Sequence, residues 1–385
     1  MKIPKNIVVL SVVSFINDIS SKIILPLMPF FILSLGGTGL AVGLISGLSE
    51  SIVSFMKIGS GYLSDRIKHK RFLVALGYFV SAFSKLLFAF ASSWQHVLIF
   101  RSGERTGKGI RSAPVDVLIS KSSEKGKKGA GFGFHRAFDS AGAVLGSLIA
   151  LLLFFYFHLS FQQIFLIAGI LAFFSIIPIF FVKESDEPVK KISFKKGISS
   201  LSNPLKLFVL SSAVFALGNF GYMFFVLRSQ EAFSLGLAIA MPIVLYTVFQ
   251  LSSSLISFPA GKLSDSVGQK KLLLFSYFLY ILTNLGFIYF KSFFALILLF
   301  IVFGIVYSLS DSMQRTFVSN LSSEKFKGTS LGFYHSAIAL TALPGGLIAG
   351  FLWDFSQEYT FWFGIATTIL AIVLLLAVKE QIELK

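Results

Sequence analysis

The chain has 385 residues, 55% of them apolar and 14% charged, with a formal net charge of +16, 46 phenylalanines and no cysteine. Soluble domains carry about 25% charged residues, so too few solvating side chains remain to cover a water-facing surface of this size, and a disordered chain is excluded on the same ground. The lack of cysteine removes disulfide scaffolds and thiolate metal or redox centres. The positive charge then marks basic cytoplasmic loops of an integral membrane protein rather than a nucleic-acid partner.

A helix needs about 20 mostly apolar residues to cross the hydrocarbon core. Twelve such runs follow in chain order: 7–33, 40–63, 72–91, 96–118, 130–157, 161–182, 205–227, 234–261, 271–290, 293–316, 328–352 and 360–378. The first continues through Pro26 and Pro29 with no small-residue cleavage site, so it reads as a retained helix and not a signal peptide. The fourth is the least hydrophobic. The runs are continuous rather than alternating, which argues against spanning strands. With the N-terminus inside, the inward loops hold Lys2, Lys5, Arg66, Lys68, Lys70, Arg71, Lys121, Lys125, Lys127, Lys128 and the later lysines, whereas the outward loops hold only Arg228 and Lys291. That asymmetry predicts both termini in the cytoplasm. The polar stretch 183–204, with Pro188 and Pro204, separates an N-terminal six-helix half (1–182) from a C-terminal one (205–385).

The halves repeat at an offset of 200 residues: Gly61-Tyr62-Leu63-Ser64-Asp65 recurs as Gly261-Lys262-Leu263-Ser264-Asp265, and Ser122-Ser123-Glu124-Lys125 as Ser322-Ser323-Glu324-Lys325. Six helices between copies give both halves the same orientation in the membrane, an arrangement that places a substrate site between them near the midplane. The loop Gly61-x-Leu63-Ser64-Asp65-Arg66-x-x-x-Lys70-Arg71 resembles the signature loop of the major facilitator superfamily, and its second copy at 261–271 does so less closely. Asp18-Ile19-Ser20-Ser21, the run 105–114 and Phe215-Ala216-Leu217-Gly218-Asn219 are similar to a prokaryotic subgroup of that superfamily whose substrates are largely unassigned. The sequence departs from the subgroup at Lys22, Val115 and Ser147, where glutamate, arginine and proline are usual. The resemblance implies an all-α fold of two parallel six-helix halves that works by alternating access. It also implies a cytoplasmic latch of Gly61, Asp65, Arg66, Lys70, Arg71, Arg111, Gly261 and Asp265. In it Asp65 faces the N-terminus of the eleventh helix, where the macrodipole favours a carboxylate; a purely topological role for these charges is the plainer alternative.

Ionisable residues inside spans usually face a polar cavity. At 100° per residue, Arg101, Glu104, Arg105, Lys108, Arg111 and Asp116 share an arc of about 140° on the fourth helix. Asn17, Asp18 and Ser21 form a second stripe, and His135, Arg136 and Asp139 a third. Eight cations face five anions in the first half, while the second half offers little beyond Asn219, Arg228, Asp311, Arg315 and His335. The surplus fits either an anionic substrate held by Arg101 or Arg105 or a salt-bridge network that only fixes packing. The cavity candidates are therefore Asn17, Ser21, Arg101, Arg105, Lys108, His135, Arg136 and Asn219. The carboxylates able to exchange an arginine for a proton are Asp18, Glu50, Glu104 and Asp139, with Asp139 expected to use its neighbour Arg136.

Gly43/Gly47, Gly142/Gly146 and Gly346/Gly350 have the small-xxx-small spacing that lets helices approach closely. No nucleophile–base pair, multi-histidine metal site, cofactor motif or phosphate loop is evident, so enzyme and pump are disfavoured. A filter-like loop is missing too, which disfavours a channel. The sequence favours a monomeric cell-membrane carrier for a small organic or amphiphilic molecule, driven by protons in the direction of efflux. Uptake of an organic anion and a transport-inactive sensor remain alternatives.

Overall fold

The computed structural model describes residues 3–64, 67, 69–123, 128–184, 201–234, 236–322 and 327–379, and the regular elements among them are all helical. The first predicted run is broken into α1 (Lys5–Ile24) and α2 (Met28–Ser34) at Pro26, whose ring cannot supply a helical N–H. Then follow α3 (Gly39–Ser64), α4 (Lys70–Leu87), α5 (Trp94–Ser122), α6 (Lys128–Leu151) and α7 (Phe161–Phe174). The seventh run is likewise two helices, α8 (Asn203–Gly218) and α9 (Tyr222–Gln230), parted at Gly221, whose φ of 84° favours glycine. The series ends with α10 (Ala240–Val267), α11 (Gln269–Tyr289), α12 (Phe293–Asn320), α13 (Lys327–Phe355) and α14 (Gln357–Ala377). Local chemistry sets several starts: Ser160 and Gln163 form a capping box before α7, and Ser202 accepts from Leu205 N ahead of Pro204.

Eleven of these segments are long and apolar enough to cross a membrane. Among the described residues α8 and α9 count as one of these and the short α2 as none; the long helix left out is α5, whose 29 residues are ample but which carries too many charges. It is held by small residues rather than by apolar mass. A Cβ on Gly107 would lie 2.7 Å from Ser81 N of α4, and one on Gly109 would lie 3.2 Å from Val53 O of α3. Its glycines are thus spent on neighbours, which leaves the charged arc for the interior.

The helix contacts repeat between halves. Within residues 5–174, α1 packs on α6 and α7, and α5 and α7 pack on α4, with α5 also on α3; within 203–377, α8 packs on α13 and α14, and α12 and α14 pack on α11, with α12 also on α10. Serine ties recur in the same places: Ser81 Oγ donates to Glu104 O (3.1 Å) between α4 and α5, and Ser276 Oγ to Val306 O (3.2 Å) between α11 and α12. Between the two sets, α3 runs antiparallel to α13 so closely that a Cβ on Gly43 would strike the Gly346 carbonyl and one on Gly47 that of Ala342. The predicted glycine pairs therefore lie at real close approaches, Gly142 and Gly146 against Phe15 and Ile19 of α1, where van der Waals packing replaces the hydrophobic effect.

Arg228, at the end of α9, is buried and donates to Phe287 O (3.1 Å), Glu231 (2.9 Å) and Gln357 (3.1 Å), so it ties α9 to the ends of α11 and α14. Arg228→Leu should leave those acceptors bare and cost about 2–4 kcal/mol, read as a lower unfolding temperature in detergent with ligand affinity unchanged.

Candidate functional site

The charged arc of α5 converges on the middle of the bundle. Arg101 and Glu104 are 4% and 3% exposed and pair at 2.5 Å. Arg105 reaches Glu104 at 3.8 Å and Glu50 of α3 at 3.3 Å. Glu50 behaves differently from its neighbours, because its side chain is 58% exposed although it lies near the middle of a 26-residue helix and faces a buried arginine. Lys108, at the midpoint of α5, is exposed on the same arc. Two charged side chains exposed at mid-helix mark an opening into the bundle on this side of α3 and α5. Arg101 Nε and Nη2 and Arg105 Nε are buried without a hydrogen-bond partner. The two buried guanidinium groups therefore retain donor capacity that the protein itself does not use.

On α1, Ser21 Oγ is satisfied by Asn17 O (2.9 Å), and Asn17 Nδ2 lies 3.3 Å from Asp18 Oδ1. Asn17 is also the acceptor for the buried Lys85 of α4, through Oδ1 at 2.9 Å and its carbonyl at 3.2 Å. Lys22 makes no ion pair among the described residues; its Nζ donates to Tyr246 Oη of α10 (3.2 Å) and sits 5.7 Å from that ring's centroid. Asn219 stands at the break between α8 and α9, half-buried, with its N–H on Phe215 O.

The α6 stripe divides. His135 lies 3.7 Å from Asp139 and 3.4 Å from Ser11 Oγ. Arg136 turns to Asp311 of α12 (3.8 Å), which also pairs with Arg315, so the arginine expected beside Asp139 is engaged across the bundle and Asp139 Oδ1 is left without a hydrogen bond. Arg111 is buried over the Tyr78 ring at 4.3 Å, and exposed Asp116 lies one and a half turns further along α5.

Of the latch residues, Asp65 and Arg66 lie outside the described residues, as does the side chain of Asp265. Gly61 runs beside Ala113, and Lys70 Nζ donates to Ile67 O (3.2 Å). Arg71 fastens the start of α4 to the chain after α7, through Glu184 (2.5 Å) and Phe180 O (3.2 Å).

Two features escaped the sequence reading. One is a tyrosine cluster facing the α5 charges, with Tyr246 buried, Tyr222 half-buried and Tyr307 exposed; Tyr222 and Tyr307 lie within electrostatic reach of Arg105, and Tyr246 of both Arg101 and Arg105. The other is Asp354 at the end of α13. Its carboxylate accepts from Gly39 N (2.7 Å) and Leu40 N (2.9 Å), at the first residues of α3. The halves are tied at that end and at mid-depth, with Ser46 Oγ on Phe220 O (3.1 Å) and Ser51 Oγ on Ala339 O (2.6 Å). Toward the end that carries the α1 N-terminus, space lies beside Gly59, Gly133 and Gly328, and Arg136 is 49% exposed.

A family model described as Major Facilitator Superfamily matches residues 10–246 and 210–384. An MFS-type transporter of Methanocaldococcus jannaschii is 45% identical over 379 residues, covering 97% of this chain and 95% of that protein. The multidrug resistance protein MdtG of Salmonella arizonae is 29% identical over 293 residues, 70% of this chain and 69% of that one. Among solved structures, the nucleoside transporter NupG superimposes with a TM-score of 0.84 at 13% identity, covering 97% of this chain and all 100% of that one, which bears on the fold alone. Eleven apolar helices, a fold shared with solved transporters and a family match over nearly its full length make this chain a multi-pass membrane transporter of the major facilitator superfamily.

Proposed function

We propose that the chain is a proton-coupled carrier of a small organic anion, with α5 as a twelfth span, two six-helix halves moving about a central site, and both termini on the cytoplasmic side. On that orientation the described state is closed outside, where Asp354 meets α3, and open inside. The observation that carries the reading is Arg105 shared between buried Glu104 and solvent-reached Glu50. Glu104 has Arg101 as a second partner, so Glu50 is the carboxylate free to give up its arginine. A proton on Glu50 releases Arg105 for an anion. Proton and anion then bind together, which is cotransport and favours uptake down the proton gradient. Efflux is the second reading, favoured by the likeness to a multidrug resistance protein and by nothing in the ion-pair geometry.

The test uses proteoliposomes enclosing a pH dye, challenged with a pooled set of dicarboxylates, phosphate esters and aryl carboxylates, against protein-free vesicles. Cotransport acidifies the lumen, and Glu50→Gln removes at least nine-tenths of that signal. Alkalinisation of the lumen supports antiport, and a response equal in Glu50→Gln and the unsubstituted chain overturns Glu50 as the coupling group.

A further inference from the structure

Two cations of the N-terminal half bypass the carboxylates beside them on their own helices. Asp18 and Lys22 stand four residues apart on α1, in the order that favours an ion pair, and Arg136 and Asp139 stand three apart on α6. Neither pair forms. Lys22 Nζ donates instead to Tyr246 Oη of α10 (3.2 Å), and Arg136 reaches Asp311 of α12 (3.8 Å), which already holds Arg315. Both acceptors belong to the C-terminal half. The two carboxylates left behind lie within electrostatic reach of each other where α1 packs on α6. Among the described residues Asp18 has only Asn17 Nδ2, at 3.3 Å. Asp139 Oδ1 is buried with no hydrogen bond, while the side chain as a whole is 30% exposed and so open to water.

We propose that Asp18 and Asp139 form a paired proton site, separate from Glu50, that fills while Lys22 and Arg136 reach across to the C-terminal half and empties when they return. The inference rests on the moving halves of the reading above but not on its coupling residue. Two carboxylates that face each other at low dielectric repel, and one shared proton removes the repulsion. The surrounding groups do not remove it otherwise. On α6, His135 Nε2 is 3.7 Å from Asp139 Oδ1, past hydrogen-bond length, and its Nδ1 faces Ser11. Ser14 of α1 offers Asp139 a neutral hydroxyl. From α4, Lys85 donates to Asn17, and Tyr78 carries Arg111 of α5 on its ring. Lys108 of α5 is exposed and lies within electrostatic reach of Asp18 without pairing with it. Helix α7 has no charged residue, and those of α10 are Lys262 and Asp265 near its C-terminus. Movement of the halves breaks both cross-half contacts, because each has one partner on either side. Lys22 and Arg136 then find Asp18 and Asp139 on their own helices, and the proton leaves to water as those ion pairs form. The proton comes from water in one state and returns to water in the other, and no other bond is made or broken.

The experiment is infrared spectroscopy of the purified full chain in liposomes, following the protonated-carboxyl band from acid to alkaline pH. We expect a band at neutral pH of which Asp18→Asn and Asp139→Asn each remove at least half, and which Glu50→Gln and His135→Gln leave in place. Tyr246→Phe combined with Asp311→Asn takes away both cross-half acceptors at nearly constant shape. The cations then return, and the band should fall by at least half at the same pH. Adding Lys22→Gln and Arg136→Gln to that double variant should restore it. Each acceptor variant alone should give a smaller fall in the same direction, which keeps the test available if the combination unfolds. The proposal is overturned if no such band exists at neutral pH, if Asp18→Asn and Asp139→Asn leave it unchanged, or if loss of the acceptors does not move it. Those results leave Glu50 standing, because lumen acidification decides that reading. Acidification that survives Glu50→Gln defeats Glu50 without touching the pair.

Discussion

Glu104→Gln should destabilise the protein by about 3–5 kcal/mol, whereas Glu50→Gln, one ion pair away, should cost less than about 1 kcal/mol. Both residues are carboxylates paired with Arg105, and the sequence offers no ground for separating them. Exposure separates them. Glu104 is 3% exposed and is the 2.5 Å partner of an arginine only 4% exposed. Neutralising it strands the Arg101 guanidinium, two of whose nitrogens already lack a hydrogen bond, in a region of low dielectric. Glu50 is 58% exposed, so water takes over its solvation and Arg105 keeps Glu104. The check is thermal unfolding of the two variants in the same detergent, read beside the lumen-acidification assay. Glu104→Gln should unfold far earlier, and Glu50→Gln should unfold normally yet lose coupling. Equal stability of the two would remove the basis for calling one structural and the other functional.

That contrast shows where sequence reading reaches its limit in this protein. The spans were legible because hydropathy over about 20 residues is a local property, and the charged arc of α5 because helical periodicity places it on one face. Even the weakness of the fourth run as a span pointed to the right helix, since the charge that lowers its hydropathy is what makes it the core of the site. What could not be read is partner choice across the bundle. Arg136 sits three residues from Asp139 in sequence and pairs with Asp311 instead, which depends on how closely α6 and α12 approach in this state. Lys85 offers no signal that its acceptor is Asn17. The tyrosine cluster was hidden by abundance: among 46 phenylalanines and 11 tyrosines, three gathered near Arg105 carry no distinguishing pattern. The breaks after Ile24 and Gly218 were only half visible, because Pro26 marks the first, whereas Gly221 looks like any of 32 glycines until its φ is known.

Asp354→Asn should shift the conformational balance toward opening at the α3 N-terminus by about 1–2 kcal/mol, a factor of about 10 in population. Both carboxylate oxygens of Asp354 accept backbone N–H groups that the first turn of α3 cannot satisfy internally, at 2.7 and 2.9 Å. The negative charge sits where the helix dipole is most positive. Asparagine keeps one acceptor, loses the charge and brings an amide group that repels an N–H. The contact joins α13 to α3 at the head of the glycine crossing, so it exists only while that crossing is closed. It also has a counterpart by construction: α3 and α13 run antiparallel, and Asp65 follows α3 as Asp354 ends α13. The latch expected for Asp65 would be the counterpart of the Asp354 contact, formed in the opposite state. The chain has no cysteine, so Ser46→Cys supplies a single reporter at a residue 9% exposed between the halves. Its labelling by a membrane-impermeant thiol reagent should accelerate about tenfold when Asp354→Asn is added. Gly133→Cys, on the open side, should label more slowly in the same background. If neither rate moves, Asp354 caps α3 without holding the state, and closure rests on the glycine packing of Gly43, Gly47, Gly346 and Gly350 together with ties such as Ser51 Oγ on Ala339 O.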